Sequence, residues 1–257
     1  MITDRVFSFQ NIHNFRCFGG YKTASGKRVC ETLYRSAQFS RASEADLNAL
    51  GKLNIKLVAD LRRPSERQAE PSHWPKTNGV HVIESDFGGP AEAPHLKFLR
   101  EETLTFSSIR AFMIETYRRL PFDEGNQFVF RNAIVSLAHT QPDEGFIVHC
   151  AAGKDRTGIF CALVLAELGV SDQTILDDYL MTNHAVDFDA IATAMRARLK
   201  QKYGRTFGDA ELKAFLGVDA EYLTAAFEKM GDLKSYLRKT LGVDESVLDR
   251  LRDRLTV

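Results

Sequence analysis

One ten-residue stretch, HCAAGKDRTG at 149–158, combines residue types and a spacing suited to nucleophilic chemistry on an anion. Five short or charged residues separate Cys150 from Arg156. The apolar GFIVHC before them predicts a short buried strand, and the apolar TGIFCALVLAELG after them predicts a helix that ends at Gly169. The stretch is therefore predicted to be a turn from a strand to the N-terminus of a helix.

Attack on a phosphate monoester needs a thiolate, because a thiol is a poor nucleophile. A helix N-terminus beside positive charge can lower the pKa of a cysteine to about 3.5–7.5. Cys150 directly precedes such a helix and is the predicted nucleophile. The small residues Ala151, Ala152 and Gly153 allow a curled loop whose successive N–H groups bind phosphate oxygens.

Four further side chains of the stretch receive predicted roles. Arg156 supplies a planar fork that grips two oxygens and stabilises the charge of the transition state. Thr157, in the first helical turn, is placed to stabilise the thiolate as phosphate leaves, and His149 is expected to order the loop rather than react. Lys154 either adds a second positive charge beside the phosphate or lies solvated on the outer side of the loop.

This stretch resembles the signature of the protein tyrosine phosphatase superfamily, a cysteine and an arginine separated by five residues with a flanking His and Thr. It is not a Walker loop, because Gly153-Lys154 is followed by Asp155 instead of Ser or Thr. Other segments are similar to bacterial tyrosine/serine phosphatases that also hydrolyse phosphoinositides, namely NFRCFGG (14–20), LYRSA (33–37), DLRRPSER (60–67) and the helical end 221–255. Cys17 departs from that family, which usually has an acidic residue there.

The resemblance implies a cysteine-dependent phosphatase that works through a phosphocysteine intermediate. Its expected substrates are phosphotyrosine, with phosphoserine, phosphothreonine and phosphoinositides as further candidates. No metal or other cofactor is expected. The fold implied is a mostly parallel sheet flanked by helices.

The leaving group must gain a proton, and three aspartates are candidate donors. Asp60 is the first choice, because it ends an apolar strand and matches the family's Asp-Leu-Arg segment. Asp155 is the rival, since related myotubularin-like lipid phosphatases are thought to use an Asp immediately before the loop Arg. Asp86, at another strand end, is third.

Strands alternate with helices along the chain, which predicts an α/β fold. Apolar patterns predict strands at 28–37, 55–60, 80–86 and 146–150, and helices at 43–53, 107–120, 127–139 and 171–185. Ser43 and Asp46 have the spacing of a capping box. Residues 1–257 are predicted to form one phosphatase domain, in which the mostly helical 186–257 packs on the sheet or covers the pocket as a lid.

Composition narrows the class of protein further. The 257 residues carry 34 basic and 34 acidic side chains, so no overall charge favours nucleic acid, although the basic run 195–205 could guide anionic substrates or be a solvated surface. The first residues lack a signal-peptide pattern, and no apolar run approaches a membrane span. A cytoplasmic location is therefore expected, with export by a route that needs no such signal as the alternative. The remaining cysteines, Cys17, Cys30 and Cys161, are interpreted as small buried side chains.

Two other functions compete with the phosphatase. A rhodanese-type sulfurtransferase also uses a loop cysteine, but its loop is not expected to end in Arg-Thr-Gly. A catalytically silent module that binds phosphoproteins would keep the loop without turnover, and the presence of both Cys150 and Arg156 argues against it. The sequence does not predict an oligomeric state.

Overall fold

The computed structural model describes residues 5–72, 79–88, 94–101, 103–186 and 188–257. In these residues five strands form one sheet in the order β1-β2-β5-β3-β4. The strands are β1 (Arg16–Cys17), β2 (Leu33–Ser36), β3 (Ile55–Asp60), β4 (His81–Ile83) and β5 (Gly145–His149). β1 pairs antiparallel with β2, and the other neighbours are parallel, which confirms the predicted mostly parallel sheet.

The register brings three strand ends together. His149, at the end of the central strand β5, lies opposite Ser36 of β2 and Asp60 of β3. In sheets of this kind ligands bind outside the carboxyl ends of the strands. The loop that follows β5 therefore begins at the edge of the sheet where a site is expected.

Helices connect and cover the strands. In chain order they are α1 (Glu44–Leu50), α2 (Pro64–Ala69), α3 (Pro94–Glu101), α4 (Phe106–Arg119), α5 (Glu124–Leu137), α6 (Asp155–Glu167), α7 (Asp172–Leu180), α8 (Phe188–Tyr203), α9 (Asp209–Leu216), α10 (Ala220–Met230), α11 (Leu233–Ser235) and α12 (Glu245–Leu255). A π-helical turn, Tyr236–Thr240, continues α11. No helix in the part of the chain that the structure describes is both long and apolar enough to cross a bilayer.

The two faces of the sheet pack against different cores. On β5, Phe146 and Val148 belong to the larger core, and Ile147 between them belongs to the smaller one. This alternation is the two-residue period of a strand buried on both faces. α6 lies within the larger core, to which it contributes the seven consecutive buried side chains 159–165, so its apolar sequence needs no polar face.

Several element boundaries differ from those predicted. The predicted strand 28–37 contains a strand only at 33–36; before it, Val29 makes an isolated bridge to Thr256. The strand predicted at 80–86 is limited to residues 81–83. The predicted capping box of α1 is present, with Ser43 accepting from the Asp46 N–H. α2 and α3 were not predicted, because with six and eight residues each is too short for a clear helical period.

Candidate active site

The turn between β5 and α6, residues 150–155, is built against the end of β2. Gly153 has a φ of +67°, and a Cβ on it would lie 2.3 Å from the carbonyl carbon and oxygen of Ser36. Neither the backbone conformation nor the space allows another residue without a shift. Of the small residues predicted for the curl, Gly153 is therefore required by its contact with β2.

Hydrogen bonds hold the loop carbonyls on its outer side. The Ala151 oxygen accepts from the Gln38 N–H at 3.2 Å, and Asn14 Nδ2 donates to the oxygens of Ala152 and Gly153 at 3.1 and 2.9 Å. A trans peptide points its C=O and the following N–H in opposite directions. The N–H groups that follow these three carbonyls consequently face the inner side of the loop, as an anion-binding loop requires.

Two buried arginines support this arrangement and give a role to the NFR and YRS segments. Arg35 donates to the Gly153 oxygen at 3.1 Å and forms a 2.8 Å ion pair with Asp178 of α7. Arg16 donates to Asn14 Oδ1 and, at 3.0 Å, to the Thr182 hydroxyl. Burial and the neighbouring Arg35 lower the pKa of Arg16 to about 9, so it stays charged at neutral pH.

Cys150, Thr157 and His149 lie inside this framework. Cys150 is 2% exposed but belongs to the lining of a cleft. The Thr157 hydroxyl is buried and makes no hydrogen bond within the described residues. Burial lowers the pKa of His149 to about 4, and its ring packs edge-on against Phe39 with the centroids 5.0 Å apart. His149 is therefore neutral at physiological pH and is positioned as part of the core.

Arg156 is held by a carboxylate, that of Glu66, which was not among the predicted site residues. Its Nη1 and Nη2 donate to Glu66 Oε2 and Oε1 at 2.6 and 2.9 Å, and Nη1 also donates to the Leu61 oxygen at 2.7 Å. Burial opposes charge on Glu66, but Arg156 outweighs it and lowers the pKa of Glu66 to about 2. Glu66 is also the third residue of α2 and caps that helix by accepting from the Arg63 N–H.

Asp60, the first choice for the proton donor, forms a buried ion pair with Arg62. Both of its oxygens accept from Arg62, with Nη2 at 2.7 Å and Nε at 3.0 and 3.1 Å. Burial raises the pKa of Asp60, but His149 and the hydrogen bonds and charge of Arg62 outweigh burial and leave the pKa below its ordinary value. Asp60 is 2% exposed and does not belong to the described residues that line the cleft.

Asp155 has a different environment in the first turn of α6. It lines the cleft, and 24% of its side chain is exposed. Its Oδ1 accepts a 2.7 Å hydrogen bond from the Tyr117 hydroxyl, which in turn accepts one of 2.6 Å from Tyr179. By contrast, the Asp86 side chain is fully exposed and pairs with Arg67 at 3.2 Å.

Lys154 is buried and engaged, so the solvated alternative predicted for it is wrong. Its ammonium group donates to the backbone oxygens of Phe215 and Gly217 at 2.5 and 3.1 Å, at the C-terminal end of α9. Lysines at helix C-termini bind such unpaired carbonyls and complement the helix dipole. The loop is thereby tied to α9.

The cleft at the loop has a volume of about 360 Å³ and mixed walls. Its polar residues include Cys150, Asp155, Arg156 and Glu66, together with His95 of α3, which was not predicted and whose pKa is lowered by burial. The apolar walls come from α3, α4, α8 and α9 and include Leu96, Leu99, Phe112, Met113, Met195, Leu199, Phe215 and Leu216. Of the predicted basic run 195–205, Met195 and Leu199 thus face the cleft, and Arg196 pairs with Asp209.

Sequence signals for the missed residues were weak. Glu66 lies in the segment DLRRPSER (60–67), but its spacing from Arg63 indicates only a helix cap. Its partner Arg156 is ninety residues further along the chain. Tyr117 lies in the predicted helix 107–120, and that prediction says nothing about its hydroxyl. Asn14, Arg16 and Arg35 were noted only as parts of a resemblance.

Cys150 and Arg156 line one cleft at the carboxyl edge of a mostly parallel sheet, an arrangement that suits the hydrolysis of phosphate monoesters. Fold and site together define the class of cysteine-dependent phosphatases. Residues 7–257 match the model of the tyrosine phosphatase family, and the chain belongs to that family. It is thus a tyrosine phosphatase, a phosphoric monoester hydrolase, as the sequence predicted.

Three relatives extend this comparison. A Cupriavidus necator protein named as a tyrosine-protein phosphatase is 33% identical over 254 residues, covering 94% of this chain and 86% of the relative. The triple specificity protein phosphatase PtpB of Mycobacterium tuberculosis is 30% identical over 256 residues, covering 86% and 89%. A tyrosine-protein phosphatase of Nostoc commune is 26% identical over 231 residues, covering 88% and 74%.

Proposed function

We propose that Cys150 is the nucleophile and Asp155 the general acid of a two-step phosphatase. In the first step the Cys150 thiolate forms a bond to phosphorus as the bond to the leaving oxygen breaks, and Asp155 gives that oxygen its proton. In the second step water attacks the phosphocysteine, Asp155 takes a proton from the water, and the thiolate leaves. Each step uses the same carboxyl group in opposite protonation states.

Arg156 is the proposed clamp on the transferred phosphoryl group. A guanidinium has five N–H donors, and the three bonds to Glu66 and Leu61 leave Nε–H and one Nη2–H without partners among the described residues. These two donors are adjacent and parallel, which matches two phosphate oxygens. Arg156 can therefore keep Glu66 while it binds phosphate.

The choice of Asp155 over Asp60 is supported by access and by hydrogen bonding. Asp60 is charged, buried and bound by Arg62 at both oxygens, so it has no proton to give and does not line the cleft. Asp155 lines the cleft beside Cys150 and Arg156. The proposed role of Asp60 is to fix Arg62 and the end of β3.

The proposed substrate is an aryl phosphate on a protein, with phosphoserine, phosphothreonine and phosphoinositides as secondary substrates. Apolar walls around the cleft suit the flat ring of phosphotyrosine, because they remove apolar surface from water. A polyanionic head group would be favoured if Lys154 left the α9 carbonyls to meet it. The name of the mycobacterial relative, a triple specificity phosphatase, supports testing more than one class.

We also propose that residues 1–257 act as one domain. The family match spans 7–257, and side chains of α6 and of the C-terminal helices share the larger core. The cytoplasmic location stays a prediction, to be checked by cell fractionation.

The phosphocysteine is the observation that tests the mechanism. Acid quenching of turnover, followed by mass spectrometry, is expected to find phosphate on the peptide that contains Cys150. Cys150→Ser should lose label and turnover while it still binds phosphate, and Cys161→Ala, a change at a buried cysteine of α6, should keep both. Near-normal turnover by Cys150→Ser would contradict the mechanism. Parallel rates on phosphotyrosine, phosphoserine and phosphoinositide substrates would rank the proposed classes.

A further inference from the structure

Two buried tyrosines stand behind the Asp155 carboxylate. The Tyr117 hydroxyl donates to Asp155 Oδ1 at 2.7 Å, and the Tyr179 hydroxyl donates to the Tyr117 hydroxyl at 2.6 Å. Both tyrosines are at most 1% exposed. An ionised carboxylate only accepts hydrogen bonds, so the direction of the two bonds is fixed while Asp155 is charged.

Packing fixes both hydroxyls in place. The rings of Tyr117, from α4, and Tyr179, from α7, meet edge to face with centroids 6.1 Å apart. α7 approaches α6 so closely that a Cβ on Gly158 would lie 2.8 Å from the Tyr179 ring. The two tyrosines are therefore packed tightly beside α6, the helix that begins with Asp155. Their hydroxyls have little freedom to turn elsewhere.

The two oxygens of Asp155 are not equivalent. Oδ1 accepts from Tyr117 and lies 3.7 Å from the Lys154 ammonium group, whereas Oδ2 accepts no hydrogen bond from the part of the chain that the structure describes. A proton on Oδ1 would compete with the hydrogen bond from the neutral Tyr117 hydroxyl and with the attraction of the Lys154 ammonium group. Oδ2 is thus the favoured site for the proton.

We propose that Tyr117, with Tyr179 behind it, is a positioning residue that orients Asp155 and makes Oδ2 the proton-carrying oxygen. This inference rests on the proposed role of Asp155 as general acid. Oδ2 gives its proton to the leaving oxygen as the P–O bond breaks and takes one from water in the second step. Tyr117 remains bound to Oδ1 throughout, and its bond strengthens when the carboxylate becomes charged.

Other charged or titratable groups also act on Asp155 and belong in the interpretation of any pH profile. They come from α3, the loop, α4, α6, α7 and α10, and comprise His95, Lys154, Arg156, Tyr117, Tyr179 and Tyr222. Tyr222 offers a matched control, because burial raises its pKa to about 12 and the side chain is therefore uncharged over the pH range of the profile. Its ring packs against Tyr117 with centroids 5.6 Å apart, but its hydroxyl donates to the Ala214 oxygen.

The test is the pH profile of kcat/KM in Tyr117→Phe. Because the charged form of Asp155 loses a donor, the alkaline limb should move up by about one pH unit. The rate on a phosphotyrosine peptide should fall by about 10-fold, with a much smaller change on an aryl phosphate whose phenol is acidic. Tyr179→Phe should shift the limb in the same direction by less, and Tyr222→Phe should leave it in place.

The outcomes separate the positioning role from the proposed function. If Asp155→Asn keeps the alkaline limb, Asp155 is not the acid, whatever Tyr117→Phe does. If Asp155→Asn abolishes the limb while a folded Tyr117→Phe leaves it unmoved, only the positioning role fails. Equal losses on all substrates with a lower Tm and no shift in the limb would mean a purely structural tyrosine and would also overturn the inference.

Discussion

Arg62 and Arg156 each grip a carboxylate with two nitrogens, but they differ in how many N–H donors they use. All five N–H groups of Arg62 donate hydrogen bonds, to Asp60, Gln38, Glu70 and Ser72. Within the described residues, Arg156 donates only three hydrogen bonds, to Glu66 and Leu61. The first pair is 1–2% exposed and the second 16–17% exposed.

This difference separates an arginine that holds the fold from one that can act on a ligand. Both guanidiniums are charged, and both have a bidentate partner, so charge and salt bridge alone do not distinguish them. A saturated, buried guanidinium has no donor to offer phosphate. Arg156 combines a fixed position with two N–H donors that have no partner in the described part of the chain, which is the preorganisation that electrostatic stabilisation of a transition state needs.

The largest expected effect is on stability, at the saturated pair. Arg62→Met removes the partner of a buried carboxylate, so the free energy of unfolding should fall by about 3–5 kcal/mol. Chemical denaturation measures it. The double variant Asp60→Leu/Arg62→Met removes both charges and should recover much of the loss. A stable but inactive Arg62→Met would contradict the stabilising role of Arg62. It would mean that Arg62 acts on the substrate, as is proposed for Arg156.

The next largest effect is expected at Arg156, on the activation free energy of the reaction and not on the free energy of unfolding. Arg156→Lys keeps the charge but loses the fork, so it cannot hold Glu66 and two phosphate oxygens together. The rate should fall by about 100-fold or more, with little change in Tm. Steady-state kinetics on an aryl phosphate and thermal unfolding measure the two quantities. Retention of most activity would show that the free donors of Arg156 do not bind the phosphoryl group.

Glu66→Gln should give the smallest effect and a pH signature. Glutamine keeps the cap of α2 and one acceptor for Arg156, so the rate should fall by only about 10-fold. The pKa of Glu66 is about 2 in the folded protein against an ordinary 4.5. Its charge therefore stabilises the fold above about pH 4.5, and that contribution is lost as the pH falls from 4.5 towards 2.

Denaturation curves of the wild type and Glu66→Gln across this pH range check the sign. The variant should be less stable than the wild type at pH 6, and the difference should shrink on acidification. A difference that is constant with pH would mean that Glu66 contributes through packing or capping and not through its charge.

The sequence predicted the loop well because its chemistry is local. The strand, the curl and the helix N-terminus are contiguous, and the roles proposed for Cys150 and Arg156 follow from their spacing. The partner of Arg156 could not be predicted, since the register of β3 with β5 decides that α2 begins beside the loop. The same register brings Asp60 to His149, and the neighbouring Arg62 then turns a strand-end aspartate into a closed ion pair.

The identity of the acid depends on a distinction that sequence alone does not make. Asp60 is the last residue of β3, and Asp155 follows β5 within a few residues, so position on the sheet fits both. What differs is the partner. Arg62 binds both oxygens of Asp60, whereas the Tyr117 hydroxyl donates to one oxygen of Asp155. Hydroxyl contacts between α4 and α6 depend on how the helices pack, which no local pattern contains.

A series of aryl phosphates with increasingly basic phenols tests the central claim most directly, that the acid lies within the loop. The logarithm of kcat/KM is plotted against the pKa of the leaving phenol for the wild type, Asp155→Asn and Asp60→Asn. Asp155→Asn should give a steep fall, about 100–10,000-fold at the most basic phenol and far less at the most acidic. Asp60→Asn should run parallel to the wild type, even if its stability is lower. A steep fall for Asp60→Asn with a parallel line for Asp155→Asn would contradict the account.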